Sequence, residues 1–231
     1  MRKALILAAV IAAFCLPTIA IAGCNADQAG GLVCGEGKDA IRVFSDTTSP
    51  SKKFAFGWRT SAGLPSGRNL PSGDIENVLI RIDDGAVLAK LGGEYWTTGD
   101  MIANRYEQLA VWSADSRAVV EVANSRWDTD SFAYYAIDGD KATKLDLLAL
   151  VSPAVKAKLP ASQREGHSFR VRENLPVKLD ARGHLSCTVM LYVPKSDPIL
   201  NYTVAVDISS KAGAPAARIV SIRRVKVDPR L

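Results

Sequence analysis

The stretch Leu109–Asp140, LAVWSADSRAVVEVANSRWDTDSFAYYAIDGD, limits the folds open to this chain more than any other. Its apolar residues alternate with a period of two, the pattern of strands rather than helices. Ala118, Val120 and Val122 fall on one face, and Phe132, Tyr134 and Ala136 on another. Ser113-Ala114-Asp115-Ser116 interrupts two apolar runs with polar residues, as a hairpin requires. Asp138-Gly139 supplies the positive φ of a tight two-residue turn. The segment therefore reads strand, turn, strand, loop, strand, turn.

The same grammar extends along the chain. Ala40–Phe44, Phe54–Trp58, Asn77–Ile82, Leu185–Val193, Asn201–Ile208 and Ala217–Val227 are predicted strands, separated by turn residues. Lys144–Leu159 is the one helical candidate, with Leu145, Leu148, Val151 and Val155 at helical steps and Pro153 cutting it. The fold class expected is all-β, mainly antiparallel meanders, built as an incomplete propeller or a β-sandwich with one short helical insertion. A Gly-rich segment at 23–39 precedes a single β-rich domain at 40–231, made of about three meander repeats (40–105, 106–166, 167–231). Ser61–Asp74 is a long loop with an internal echo, LPSG twice, and loops of this length are functional or mobile.

The N-terminus resembles a bacterial secretory signal peptide at 1–22. Met1-Arg2-Lys3 precedes the apolar run Ala4–Leu16, and Ala20, Ala22 and Gly23 supply small residues. Two cleavage readings stand side by side. Ala20-Ile21-Ala22 fits soluble secretion, whereas Ile21-Ala22-Gly23-Cys24 resembles the lipobox of lipoproteins, in which Cys24 would be lipidated. The protein is expected to be periplasmic or secreted, and to meet a membrane only through a lipid anchor on Cys24. With Cys24 lipidated, Cys34 and Cys187 remain as a candidate disulfide; with Cys24 free, a local Cys24–Cys34 bridge would strand Cys187. The formal charge is +5, and +3 once Arg2 and Lys3 leave with the leader. That balance gives no reason to expect nucleic acid. The C-terminal Arg218, Arg223, Arg224, Lys226 and Arg230 suit an edge strand guarded by cations.

Three turns superpose in sequence: Ser49-Pro50-Ser51-Lys52-Lys53-Phe54, Ser113-Ala114-Asp115-Ser116-Arg117-Ala118 and Asp180-Ala181-Arg182-Gly183-His184-Leu185. Each is followed by a strand, a loop and a second strand. At these residues the chain resembles the SPDG-type repeats of WD40-like, TolB-type β-propellers, in which a W-S-P-D-G-[RK] turn joins two strands of a blade. Trp112-Ser113-Ala114-Asp115-Ser116-Arg117 is the nearest copy, with Ala for Pro and Ser for Gly. The first copy has no Asp, and the third keeps only the Gly. The resemblance implies blades of antiparallel strands.

No catalytic signature is present. His167 and His184 belong to no metal spacing, and Ser49-Pro50-Ser51-Lys52 lies in a turn rather than at a helix start. No metal or cofactor is expected. Asp128 and Asp130 could offer oxygens to calcium, but the Gly and closing Glu of a calcium loop are missing. Aromatic residues are the better lead. Arg126-Trp127-Asp128 sits at a predicted loop tip, and an exposed Trp beside charges is a contact residue for a glycan or protein partner. The residues expected to bind are Arg126, Trp127, Asp128 and Asp130. The function expected is a non-catalytic binding or interaction module of the bacterial periplasm or envelope, with an envelope protein or glycan as partner. Two alternatives stand beside it: a hydrolase or lyase of envelope polymers using Asp128 and Asp130, and a structural subunit pairing through exposed strand edges.

Overall fold

A computed structural model describes residues 23–27, 31–66, 69–71, 73–194, 198–211 and 214–227, without the side chains of residues 210 and 211. The expected leader at 1–22 and Arg230 lie outside them, as do parts of the Gly-rich segment and of the 61–74 loop. Hydrogen bonding gathers the period-two segments into three successive antiparallel sheets. The first runs β1 (Cys24–Ala26), β2 (Leu32–Cys34), β3 (Ile41–Val43), β4 (Phe54–Arg59), β5 (Glu76–Arg81) and β6 (Val87–Lys90). A two-strand ribbon, β7 (Thr97–Thr98) and β8 (Met101–Ile102), lies in the connection to the second. The second sheet is β9 (Glu107–Trp112), β10 (Ala118–Asn124), β11 (Thr129–Asp138) and β12 (Lys141–Asp146). The third sheet follows the one helix, α1 (Leu147–Lys156). It consists of β13 (Ser168–Val171), β14 (Lys178–Leu179), β15 (His184–Tyr192), β16 (Leu200–Lys211) and β17 (Ala214–Val225), with β13 and β14 both pairing β15. The protein is thus mainly β with one short helix, and among the described residues its sheets close into neither a barrel nor a ring.

The second sheet is the middle layer. Ala118 pairs Ala136, Val120 pairs Tyr134 and Val122 pairs Phe132. The two apolar sets read from the sequence as separate faces therefore meet across the ladder on one face. That face packs on Phe169, Val171, Leu185, Cys187, Val189 and Leu191 of the third sheet. The residues between them point the other way. Val119, Ala133, Tyr135 and Ile137 pack on Phe44, Phe56, Trp58 and Leu79 of the first sheet. All seven residues of β10 are consequently buried. At roughly 1.5–3 kcal/mol for each fully buried large aliphatic side chain, this two-sided burial is the main cohesion between the sheets. A smaller cluster, Cys34, Ile41, Val43, Ala55, Val78 and Ile80, lies on the far face of the first sheet. Gly57 permits it, since a Cβ there would stand 2.7 Å from Ile41 Cγ2.

The three turns that superpose in sequence share their geometry. Lys52 N donates to Ser49 O (2.9 Å), Ser116 N to Ser113 O (2.9 Å) and Gly183 N to Asp180 O (3.0 Å). The donor residue has a left-handed backbone each time, with φ 61°, 60° and 80°. This is a type I turn closed by a left-handed residue, a common hairpin form. Ser49 Oγ and Ser113 Oγ also accept from Phe54 N (3.1 Å) and Ala118 N (2.9 Å).

The helix differs from expectation. Lys144–Asp146 complete the ladder with β11 rather than opening a helix. Asp146 then caps α1, accepting from Ala149 N at 2.9 Å. One helix results, with Pro153 inside it on the exposed side and Leu147, Val151 and Val155 in the core. The cysteines also differ. Cys24 and Cys34 are direct partners on β1 and β2 and form a disulfide. Cys34 therefore does not pair with Cys187, which is buried in the third sheet, in a core that does not include Cys34. With the Cys24 sulfur in that bridge, no thiol remains there for a lipid.

Candidate functional site

Each sheet is a meander, so its connections alternate between two ends. The tight turns 49–53, 113–117 and 180–183 lie at one end, and the connections 60–75, 125–128 and β15 to β16 at the other. Hydrogen bonds hold like ends together. At the turn end Ser51 N donates to Ser116 Oγ (2.9 Å), and Trp112 Nε1 to Thr47 O (2.7 Å). Binding residues concentrate on loops carried by a rigid scaffold, so the loop end is the place to look.

The 125–128 loop is fastened at many points. Ser125 N donates to Asp128 O (2.9 Å), and Ser125 Oγ to Asp130 Oδ1 (2.8 Å). Asp128 accepts from Phe169 N (3.2 Å) and Ser168 Oγ (3.3 Å) of the third sheet. Arg170 donates to Ser125 O, and the Tyr192 hydroxyl to Trp127 O. Asp128 and Asp130, expected to bind or catalyse, thus hold the loop in place. Arg126 is exposed and Trp127 half-buried, and neither side chain takes part in the fastening. The guanidinium of Arg126 stacks 4.4 Å from the Trp127 ring centre. Trp58 Nε1 and Trp112 Nε1 donate to backbone carbonyls, at Thr97 and Thr47. Trp127 Nε1 has no such acceptor among the described residues.

Beside this loop lies a carboxylate pair that sequence reasoning missed. Arg170 Nη2 contacts Glu107 Oε2 at 2.6 Å, and Arg170 Nε lies 3.4 Å from Glu173 Oε2. Asn124 Nδ2 donates to Glu173 Oε2 (3.0 Å) and Val171 O (3.1 Å). Two carboxylates share one buried guanidinium. Partial burial, followed by the charge of Glu173, raises the Glu107 pKa above the usual carboxylate range. Its only signal in sequence is charge at the ends of apolar strands, which most surface residues share.

Glu121 was also missed. It sits in the middle of AVVEVAN and is fully buried between the first and second sheets. Four donors reach its carboxylate: Gly92 N (2.6 Å), Gln108 Nε2 (3.2 Å), Ser131 Oγ (3.0 Å) and Tyr135 Oη (3.0 Å). Gly92 must be glycine, because a Cβ would stand 2.2 Å from Ser131 Cβ. With its donors supplied by the core, this carboxylate joins two sheets. A charged residue inside an apolar run is the signal that could have found it.

Two open grooves also mark the loop end. One, of about 690 Å³, is lined by Ile199, Asn201, Arg224, Val225, Lys226 and Val227. The other, of about 620 Å³, includes Arg59, Glu76 and Lys90, which are already paired with one another. Among the described residues no group of three or more His, Cys, Asp or Glu is placed to hold a metal. No family model matches the chain, and no curated protein matches it. The disulfide fits an extracellular or other oxidising compartment, and no described helix is long and apolar enough to cross a membrane.

Proposed function

We propose that this protein is an exported, non-catalytic binding module of the bacterial periplasm or envelope, and that it contacts an envelope glycan or protein through the loop end of its sheets. The fastening of the 125–128 loop carries this reading. A loop that is ordered before binding loses little entropy on association, and Trp and Arg are the side chains that dominate contact energies. Three stacked meanders with equivalent turns support kinship with TolB-type blades in an open arrangement. The leader-like N-terminus and the disulfide support export.

A photo-crosslinker in place of Arg126 should capture a partner in the native envelope, while one in place of Ala114, at the turn end, should not. Trp127→Ala should weaken that partner's binding at least about tenfold with an unchanged melting curve. Capture from Ala114 alone, or full affinity in the Trp127 variant, would overturn the proposal.

A second reading, a hydrolase or lyase of envelope polymers, draws on Glu107. A carboxyl with a raised pKa beside a second carboxylate is the arrangement of a general acid. Glu107 and Glu173 would take the roles first given to Asp128 and Asp130. Any turnover that survives Glu107→Gln unchanged would end that reading.

A further inference from the structure

Arg170 stands where the second and third sheets meet, at the root of the 125–128 loop. Its side chain is 9 % exposed. It donates to Glu107 Oε2 on β9 (2.6 Å) and to Ser125 O in the loop, and its Nε lies 3.4 Å from Glu173 Oε2. The Asn124 amide reaches the same two carboxylate oxygens, with Nδ2 3.0 Å from Glu173 Oε2 and 3.5 Å from Glu107 Oε2. The two carboxylates are therefore neighbours. Asn124 Oδ1 accepts from Thr129 Oγ1 (2.6 Å), which accepts from Val171 N (2.8 Å). Both flanks of the loop, 124–125 and 129, are thus tied into one charged joint.

The joint carries more negative charge than positive. Among the described residues neither Glu107 nor Glu173 pairs with a cation other than Arg170. An ordinary ion pair of one carboxylate and one guanidinium loosens in acid, because protonation removes the attraction. Here a proton removes surplus charge instead, and leaves one carboxylate for one guanidinium. Solvent can deliver it, since the Glu107 side chain is 43 % exposed.

We propose that this joint is a pH-sensitive latch on the 125–128 loop, in which one proton taken from solvent by Glu107 tightens the fastening and its loss as pH rises loosens it. Burial, then the charge of Glu173, raises the Glu107 pKa, so the folded chain holds this proton where the unfolded chain has released it. The stabilisation is complete below the unfolded value, about 4.3, and is lost as pH rises through the folded one. The other titratable groups that sense this cluster are Tyr95, from the connection before β7, and Tyr192 on β15. Both phenols are shifted upward and stay neutral throughout. The latch stands whether or not the loop binds a partner, and it needs no turnover.

The test is urea unfolding of the full chain, with amide exchange of Ser125 corrected for its intrinsic rate, between about pH 8 and about pH 5. Ser125 N is the reporter because it closes the loop on Asp128 O. Glu107→Gln keeps the volume and an acceptor oxygen but takes up no proton. Relative to that variant, the wild-type urea midpoint and the Ser125 protection should both rise on acidification. At the alkaline end Glu107→Gln should be the more stable of the two, with the gap closing toward the acid end. Glu173→Gln leaves Glu107 alone with Arg170 and should shrink the acid gain. A wild-type midpoint that falls on acidification relative to Glu107→Gln would overturn the proposal, since that is the behaviour of an ordinary ion pair. So would a midpoint gain with unchanged Ser125 protection, which would make the joint a fixed brace that does not reach the loop.

Discussion

Glu121 is the side chain on which the junction of the first two sheets most depends. Its oxygens accept from four donors in a space that admits no solvent. A leucine would strand Gly92 N, Gln108 Nε2 and the Ser131 hydroxyl, while Tyr135 Oη could still donate to Lys90 O (3.3 Å), and each unpaired buried group costs about 1–3 kcal/mol. Glutamine is a gentler change. Its oxygen can serve Gly92 and Gln108 while its NH₂ donates to the hydroxyls of Ser131 and Tyr135. Glu121→Leu should therefore lose at least about 3 kcal/mol in urea unfolding, and Glu121→Gln about 1. Equal losses would show that volume rather than hydrogen bonding decides the site. At this scale the sequence was least legible. Val120 is readable as a core residue from its alternation, but nothing in the local pattern announces that Arg170, 63 positions away, will meet Glu107. Asp128 misleads for the same reason. Its partners, Phe169 and Ser168, lie 40 or more residues on and are fixed only when sheets stack.

Among the elements, the three hairpin turns show how one backbone shape accepts different residues. Lys52 is exposed and left-handed, so Lys52→Gly removes strain and should raise stability by about 0.5 kcal/mol. Ser116 has the same φ but is buried, and its Oγ accepts from Ser51 N. Ser116→Gly should therefore destabilise, by about 1 kcal/mol. Gly183 admits no substitution, because a Cβ would stand 2.2 Å from Ile208 O. Thermal unfolding of the three variants tests the order Lys52→Gly above wild type, then Ser116→Gly, then Gly183→Ala lowest. The strands around these turns were legible because period-two alternation is local. The faces were not. Alternation normally separates core from solvent, but in β10 and β11 it separates one core from another. Leu145 misled likewise: its helical spacing is real, yet the β11 ladder takes it first.

For the whole molecule, the position of the disulfide matters more than its presence. It spans 10 residues at the edge of the first sheet, a short loop whose closure is worth about 3 kcal/mol in the chain-entropy model. A Cys34–Cys187 bridge would have clamped the first sheet to the third. Reduction should therefore loosen β1 and β2 and leave amide protection in β10 and β15 intact. Loss of protection in all three sheets would contradict this. Burial pushes the Cys187 thiol up to about 12, so it should resist maleimide until the protein unfolds. The all-β class was legible from turns and alternation; the order of stacking was not, because contacts between faces leave no period in the chain.

Each sheet offers the next a surface to crystallise on, so the stack is a one-dimensional growth process that needs a stop. The outward side of the third sheet supplies one. Its alternation places Ser186, Thr188, Thr203, Asp207, Arg218 and Arg223 opposite the apolar face that packs inward. A fourth layer, from this chain or another, would meet a hydrated front rather than a greasy one. The molecule can thus remain an unclosed stack without becoming a fibre.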